Sequence, residues 1–276
     1  MKNVLTIDVE DWFQVETLSE SIGSNEWEGF KSRLLPNLLK ILNLLEEKKI
    51  KATFFVLGWI AERFPDLVLM IKQQGHEIGS HGYAHQLVYK QDEKSFEEDV
   101  KKSKDILENI IEEKILGYRA PSFSIIPSCF WAYNILAKLG IKYDSSIFPV
   151  RHLTYGIPDA PRFPFTINLD GGNKIMEFPL STVRIFGQNF PVGGGGYLRL
   201  FPYAYTRWSI KNLNRQNKRA IVYFHPWEID PHQPKQKVKI SSRIRHYSNL
   251  SVMQDRVERL LNDFDFGSIK QIWEMK

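Results

Sequence analysis

His81 and His85 stand four residues apart in Ser80-His81-Gly82-Tyr83-Ala84-His85. One helical turn at that spacing puts both imidazoles on one side, and neutral imidazole is the commonest protein ligand for zinc and related ions. Asp8, Glu10 and Asp11 follow an apolar run in Thr6-Ile7-Asp8-Val9-Glu10-Asp11-Trp12. Their mutual repulsion needs relief by a cation, an arginine or a raised pKa. Strand alternation sends Asp8 and Glu10 to one face, and a turn could bring Asp11 back. Two histidines and a carboxylate, with positions left for water, form a catalytic arrangement in both zinc and iron chemistry. His225 ends the run Ala220-Ile221-Val222-Tyr223-Phe224 and is a candidate general acid. Arg119, in Arg119-Ala120-Pro121-Ser122-Phe123, offers a guanidinium that could hold a catalytic carboxylate ionised and oriented. Taken singly, each of these is also compatible with an ordinary loop or packed residue. Together they point to metal-dependent hydrolysis. His76-Glu77 does not make a zincin, because His76 and His81 are five apart and the segment reads as strand.

The elements that must carry these groups alternate. Val4-Leu5-Thr6-Ile7, Ala52-Thr53-Phe54-Phe55-Val56, Glu77-Ile78-Gly79-Ser80, Gly117-Tyr118-Arg119, Ile141-Lys142-Tyr143-Asp144 and Ala220 to Phe224 read as strands. Leucines and Ile41 at helical spacing predict a helix from about Leu34, with Pro36 near its start. Pro65 breaks two helical pieces, Gly58 to Phe64 and Asp66 to Gln74. Helices are also expected over Ser95 to Glu112, with Ser95 as cap, and over Ser128 to Leu139, Tyr203 to Gln216 and Val252 to Phe264. Residues 146–200 are dense in proline, glycine and aromatics. They read as an elaborated loop and hairpin region, with strands at Ile175 to Phe178 and Thr182 to Ile185, inside one domain spanning 1–276. This order favours a parallel sheet with helices outside. Asp8, His81, Arg119, Asp144 and His225 all fall at or just after strand C-termini, where a barrel places its site.

Composition sets the frame. The chain has 276 residues, 43% of them hydrophobic and 25% charged, which suits a full core and argues against long disorder. The net charge of +5 is spread in short, interrupted clusters, so nucleic acid is not an expected partner. The single cysteine, Cys129, forms no intrachain disulfide. There is no apolar run long enough for a membrane span and no serial leader pattern, so a cytoplasmic location is expected. Gly193 to Gly196 lacks the Lys-Ser/Thr of a phosphate loop.

Five segments, in order, resemble the motifs of the polysaccharide deacetylases (NodB homology, carbohydrate esterase family 4). They are Thr6 to Asp11, Ser80 to His85, Arg119 to Phe123, Tyr143-Asp144-Ser145-Ser146 and Phe224-His225. The stretches Tyr155 to Arg162, Gly194 to Arg199 and His225-Pro226-Trp227-Glu228 further resemble a subgroup found with exopolysaccharide biosynthesis and exosortase loci. The resemblance implies a distorted (β/α)7 TIM-like barrel, one divalent metal and a carbohydrate substrate. Zinc suits the ligand set, with cobalt, nickel, manganese or iron as alternatives. It implies Asp8 as catalytic base, oriented by Arg119, and His225 as general acid, tuned by Asp144. Asp11, His81 and His85 would be the metal ligands. Phe123 would stand where a backbone N–H helps hold an oxyanion, and Gly195, Tyr197 and Trp227 would contact substrate. The family has two adjacent aspartates where Val9-Glu10 here separates Asp8 from Asp11, which leaves the metal carboxylate open between Asp11 and Glu10. The implied reaction is removal of N-acetyl groups from acetamido sugars of a polysaccharide or its precursor. The alternatives are hydrolysis of small amides or cyclic ureides, and an inactive carbohydrate-binding barrel.

Overall fold

The structure is a computed structural model and describes residues 1–152 and 154–274. Its elements run β1 (Asn3–Val9), α1 (Leu34–Glu47), β2 (Thr53–Val56), α2 (Gly58–Arg63), α3 (Pro65–Gln73), β3 (Glu77–Ser80), α4 (Glu93–Ile111), β4 (Gly117–Tyr118), α5 (Trp131–Lys138) and β5 (Tyr143–Asp144). There follow β6 (Phe165–Asn168), β7 (Lys174–Glu177), β8 (Thr182–Ile185), β9 (Gln188–Pro191), α6 (Gly195–Leu200), α7 (Tyr203–Arg215), β10 (Ile221–Phe224), α8 (Ile240–Tyr247), α9 (Met253–Asp263), β11 (Phe266–Gly267) and α10 (Ile269–Glu274).

Seven parallel strands pair in the order β10-β1-β2-β3-β4-β5-β7, with β6 antiparallel on the far edge and β11 beside β1. This is the expected curled α/β barrel. Between β7 and β10 the ring is bridged by a side chain: the Ile221 N–H donates to Ser181 Oγ at 2.7 Å. Alternation along each strand splits the apolar residues into two sets. Leu5, Ile7, Val9, Phe54, Val56, Ile78, Tyr118, Val222 and Phe224 pack in the larger core, with the helices. Val4, Phe55, Tyr143, Phe178, Ile221 and Tyr223 fill the barrel interior, joined from below by Ile269 and Ile272 of α10. Gly79 and Gly117 have interior positions with no room for a Cβ, because the rings of Phe55 and Tyr143 occupy it.

The helices follow their patterns. α1 buries Leu34, Leu38, Ile41, Leu42 and Leu45 and leaves Leu35 and Leu39 exposed. Each fully buried leucine contributes about 1.5–3 kcal/mol over an exposed one. Pro65 occupies the first turn of α3, where its missing N–H costs nothing. α4 begins two residues earlier than expected, because Asp92, not Ser95, is its cap: Asp92 Oδ1 accepts the Ser95 N–H at 2.8 Å. The elaborated region holds more regular structure than expected. β6, β9 and α6 were not foreseen there, nor was α8 beyond it.

Candidate active site

The reactive groups meet at the C-terminal mouth of the barrel. β1 delivers Asp8, and its alternation carries on so that Glu10 keeps the same side. Glu10 Oε1 lies 3.1 Å from His81 Nε2 and 3.0 Å from His85 Nε2. Among the described residues, Glu10, His81 and His85 are the group that could hold a metal, and all three are buried. The two histidines do not share a helical turn. They flank a loop that turns through positive φ at Gly82 (73°) and His85 (53°), and Asp99 of α4 accepts the N–H groups of Tyr83 and Ala84 at 2.8 and 3.1 Å. The donor set fits a cation for a reason visible at His81. Its Nδ1 donates to the Arg119 carbonyl at 2.7 Å, which fixes the tautomer. Where Nδ1 carries the proton of a neutral imidazole, the Nε2 lone pair faces a carboxylate oxygen, an arrangement that a cation between them reconciles.

Arg119 follows β4 into the barrel and is fully buried. One terminal nitrogen donates to Asp8 Oδ1 at 2.7 Å and to Thr6 Oγ1 at 2.6 Å, and the other to Ser145 Oγ at 2.8 Å. That fork fixes the orientation of Asp8 and leaves Oδ2 toward the cavity, 3.9 Å from His225 Nε2. His225 enters from the end of β10. Its Nδ1 lies 2.9 Å from Glu228 Oε2, and its backbone N–H donates to the same oxygen at 3.0 Å. Glu228 Oε1 in turn accepts from Arg199 Nε at 2.6 Å. Arg199 is locked by donating to the carbonyls of Arg245, His246 and Ser248.

Burial opposes charge on His225, but the carboxylates of Glu10, Glu228 and Asp8 outweigh it and push its pKa up to about 9. Burial likewise works against ionised Glu10, and the neighbouring imidazoles His85, His225 and His81 overcome it and hold its carboxyl well below the usual range. For Glu228, burial is again opposed, here by Arg199 and His225, and the net shift is downward.

Several expected site residues take other roles. Asp11 is not the carboxylate beside the histidines. As the next residue after Glu10 it points the other way, and it accepts the backbone N–H groups of Trp12 at 2.8 Å and Arg33 at 3.0 Å. Asp144 does not touch His225. Strand β5 turns Tyr143 and Ser145 inward and Asp144 outward, to the helix side, where it accepts from Ser146 Oγ at 2.7 Å and sits in register with Glu177 of β7. Glu228 occupies the position expected of Asp144. The Phe123 N–H is already donated to the Ala120 carbonyl at 3.0 Å, and its ring packs 4.9 Å from that of Tyr223. Gly195, at φ 48°, lies against the Tyr223 ring, and it is Gly196 that lines the cavity. Tyr197 and Trp227 do line it: Tyr197 Oη lies 3.0 Å from Tyr155 Oη, and the Trp227 ring stacks 5.3 Å from His225. The cavity holds about 540 Å³ and is also bordered by Glu16, His152, Leu200 and Arg245.

Glu228 and Arg199 were within sequence motifs but carried no role there. The signal for Glu228 was its spacing: an acid three residues after His225, with Pro226 between, is a helix-start pattern that bends the carboxylate back onto the first residue. Arg199 had no such signal.

The outward pair of Asp144 and Glu177 gives a pH effect on stability. Burial, then the neighbouring Asp144 carboxyl, raises the Glu177 pKa well above its ordinary 4.5. The folded state therefore holds a proton that the unfolded chain releases. Glu177 contributes fully below about pH 4.5, and its contribution falls as pH rises toward the folded value. Glu177→Gln keeps the shape without the titration. Thermal melts from about pH 4.5 to 8 should show the variant gaining on the parent as pH rises; a pH-independent difference would contradict a protonated Glu177.

Residues 35–143 match the sequence family described as polysaccharide deacetylase, and residues 145–274 match a domain of unknown function, DUF3473. A peptidoglycan-N-acetylglucosamine deacetylase of Bacillus cereus is 40% identical over 84 residues, which is 30% of this chain and 28% of that protein. A peptidoglycan deacetylase of Helicobacter pylori is 34% identical over 115 residues, 41% of this chain and 36% of that protein. The chain thus spans well under half the length of these two relatives. In fold it is similar to a Mycobacterium smegmatis protein crystallised as a candidate polysaccharide deacetylase, with a TM-score of 0.64 at 19% identity, covering 99% of this chain and 90% of that one. A family 4 carbohydrate esterase from Streptomyces lividans superimposes with a TM-score of 0.51 at 12% identity, over 96% of this chain and 91% of that one. The chain thus carries a polysaccharide deacetylase domain of the NodB-homology type (carbohydrate esterase family 4) over residues 35–143, followed by DUF3473, and the two share one barrel.

Proposed function

We propose that this chain is a metal-dependent hydrolase that removes N-acetyl groups from acetamido sugars of a polysaccharide or its precursor, releasing acetate. The observation that carries the reading is the convergence of Glu10, His81 and His85, with Glu10 Oε1 3.1 and 3.0 Å from the two imidazole nitrogens, beside the Arg119-bound Asp8 and His225. The family and the deacetylases among its relatives support it.

A divalent cation held by Glu10, His81 and His85 would act as a Lewis acid, acidifying water and polarising the amide carbonyl. Zinc suits two imidazoles and one carboxylate. Asp8 takes the proton of the attacking water at Oδ2, while Arg119 holds Oδ1 and keeps the carboxylate turned toward the cavity. His225 Nε2, on the same side, protonates the departing amine. Glu228 fixes the ring through Nδ1 and balances the charge of the imidazolium, and Arg199 holds Glu228 in place. Tyr155, Tyr197 and Trp227 give the cavity flat apolar faces edged with hydroxyls, the chemistry that sugar rings stack against.

The test is acetate release from N-acetylated chitooligosaccharides and peptidoglycan glycan strands by protein loaded with Zn²⁺, beside ring opening of cyclic ureides. Release from an oligosaccharide with no ureide activity supports the reading. Ureide turnover alone would replace it with a small-amide hydrolase, and neither activity in metal-loaded protein would replace it with a binding barrel.

A further inference from the structure

Helix α8 and the segment before it form a basic amphipathic surface at the rim of the cavity. From Pro231 to Gln254 the chain contains no Asp or Glu but carries Lys235, Lys237, Lys239, Arg243 and Arg245, and these five are exposed. Lys239 pairs with Glu20 at 2.8 Å, while the other four make no ion pair among the described residues. On α8 the exposed arc is centred on two isoleucines one turn apart. Ile240 is 77% and Ile244 56% exposed, an unusual state for such side chains. At 100° per residue Arg243 lies to one side of this pair and Arg245 to the other, while the opposite side buries His246. Ser242 and Arg245 of the same helix line the cavity, and so does Leu200, itself 40% exposed.

We propose that this surface docks on an anionic phospholipid bilayer, with Ile240 and Ile244 entering the headgroup–acyl boundary and the flanking cations meeting lipid phosphates. An apolar centre between snorkelling cations is the pattern of an interfacial helix. An acidic polysaccharide or nucleic acid would satisfy the charges but leave both isoleucines in water. A second copy of the chain would bring two basic faces together with nothing to neutralise them. Two isoleucines bury little area, so attachment is reversible and needs the charges as well. Docked in this way, the chain opens its cavity beside the bilayer, which is where the sugar of a lipid-linked glycan would stand. The lipid contact itself does not depend on the deacetylase reading.

The experiment is co-sedimentation of the full chain with phosphatidylcholine vesicles with and without roughly 30 mol% phosphatidylglycerol. Binding is expected only to the anionic vesicles and should weaken in about 0.5 M salt. Ile240→Ser with Ile244→Ser should lower the partition coefficient about tenfold, and Lys237→Glu with Arg243→Glu should abolish it. Both pairs are exposed, so thermal melts and acetate release from a soluble oligosaccharide should match the parent. No sedimentation with anionic vesicles overturns the proposal. So does a double-serine variant that partitions like the parent, and so does retention on alginate that exceeds vesicle binding and survives the serine substitutions.

Discussion

Glu10→Gln is expected to lower divalent metal content from one equivalent per chain to a trace and to reduce kcat/KM by about a thousandfold. The ligand cage would lose its only anionic donor, and the polarising charge of a catalytic metal supplies several kcal/mol, near 1.4 kcal/mol for each tenfold in rate. Asp11 should behave oppositely. Its oxygens accept from Trp12 and Arg33 and shape the loop after β1. Asp11→Ala would leave those backbone donors unsatisfied and cost about 1–3 kcal/mol of stability, with metal still bound. Elemental analysis of the dialysed proteins, paired with thermal melts, separates the two. Metal lost from the Asp11 variant and kept by the Glu10 variant would reverse the assignment.

His225→Ala is expected to lower kcat by about 10²- to 10⁴-fold, the usual contribution of a positioned general acid, with metal content unchanged. Glu228→Gln should reproduce part of that loss, about 10- to 100-fold, because it orients His225 instead of meeting the substrate. Asp144→Asn should leave kcat near the parent's, since the side chain lies behind the sheet. Substrates with a good leaving group need little protonation of the departing nitrogen. An activated aryl acetamide should therefore recover much of the His225→Ala defect, which a variant that had merely lost its fold would not show. If Asp144→Asn costs more in kcat than Glu228→Gln, the relay drawn here from Glu228 to His225 is wrong.

These contrasts mark what could be read from the chain. Asp8, Arg119 and His225 were legible because each ends an apolar run, and the C-terminal ends of parallel strands face one way. The same rule of alternation, applied strictly, favours Glu10 over Asp11 and excludes Asp144 from the mouth. Likeness to adjacent aspartates and to a motif's aspartate pulled both assignments the other way. His81 and His85 were paired for helical spacing, yet they meet through left-handed turns at Gly82 and His85, which periodicity does not reveal. Arg199 was beyond reach, because its burial depends on carbonyls of Arg245 to Ser248, nearly fifty residues on, that no local pattern ties to it.

The two matched families meet between residues 143 and 145, at the end of β5, where the Ser145 carbonyl accepts from Arg119 Nε. Yet β10, from the second, lies directly against β1 at the start of the chain, and it carries His225. His225 and its partner Glu228 thus come from the segment matched as a domain of unknown function, and His81 and His85 from the segment matched as polysaccharide deacetylase. Severed at that junction, neither fragment would keep the full run of staves, and neither would hold all of the proposed site. The segment of unknown function is therefore part of the same barrel, not a separate body appended to it.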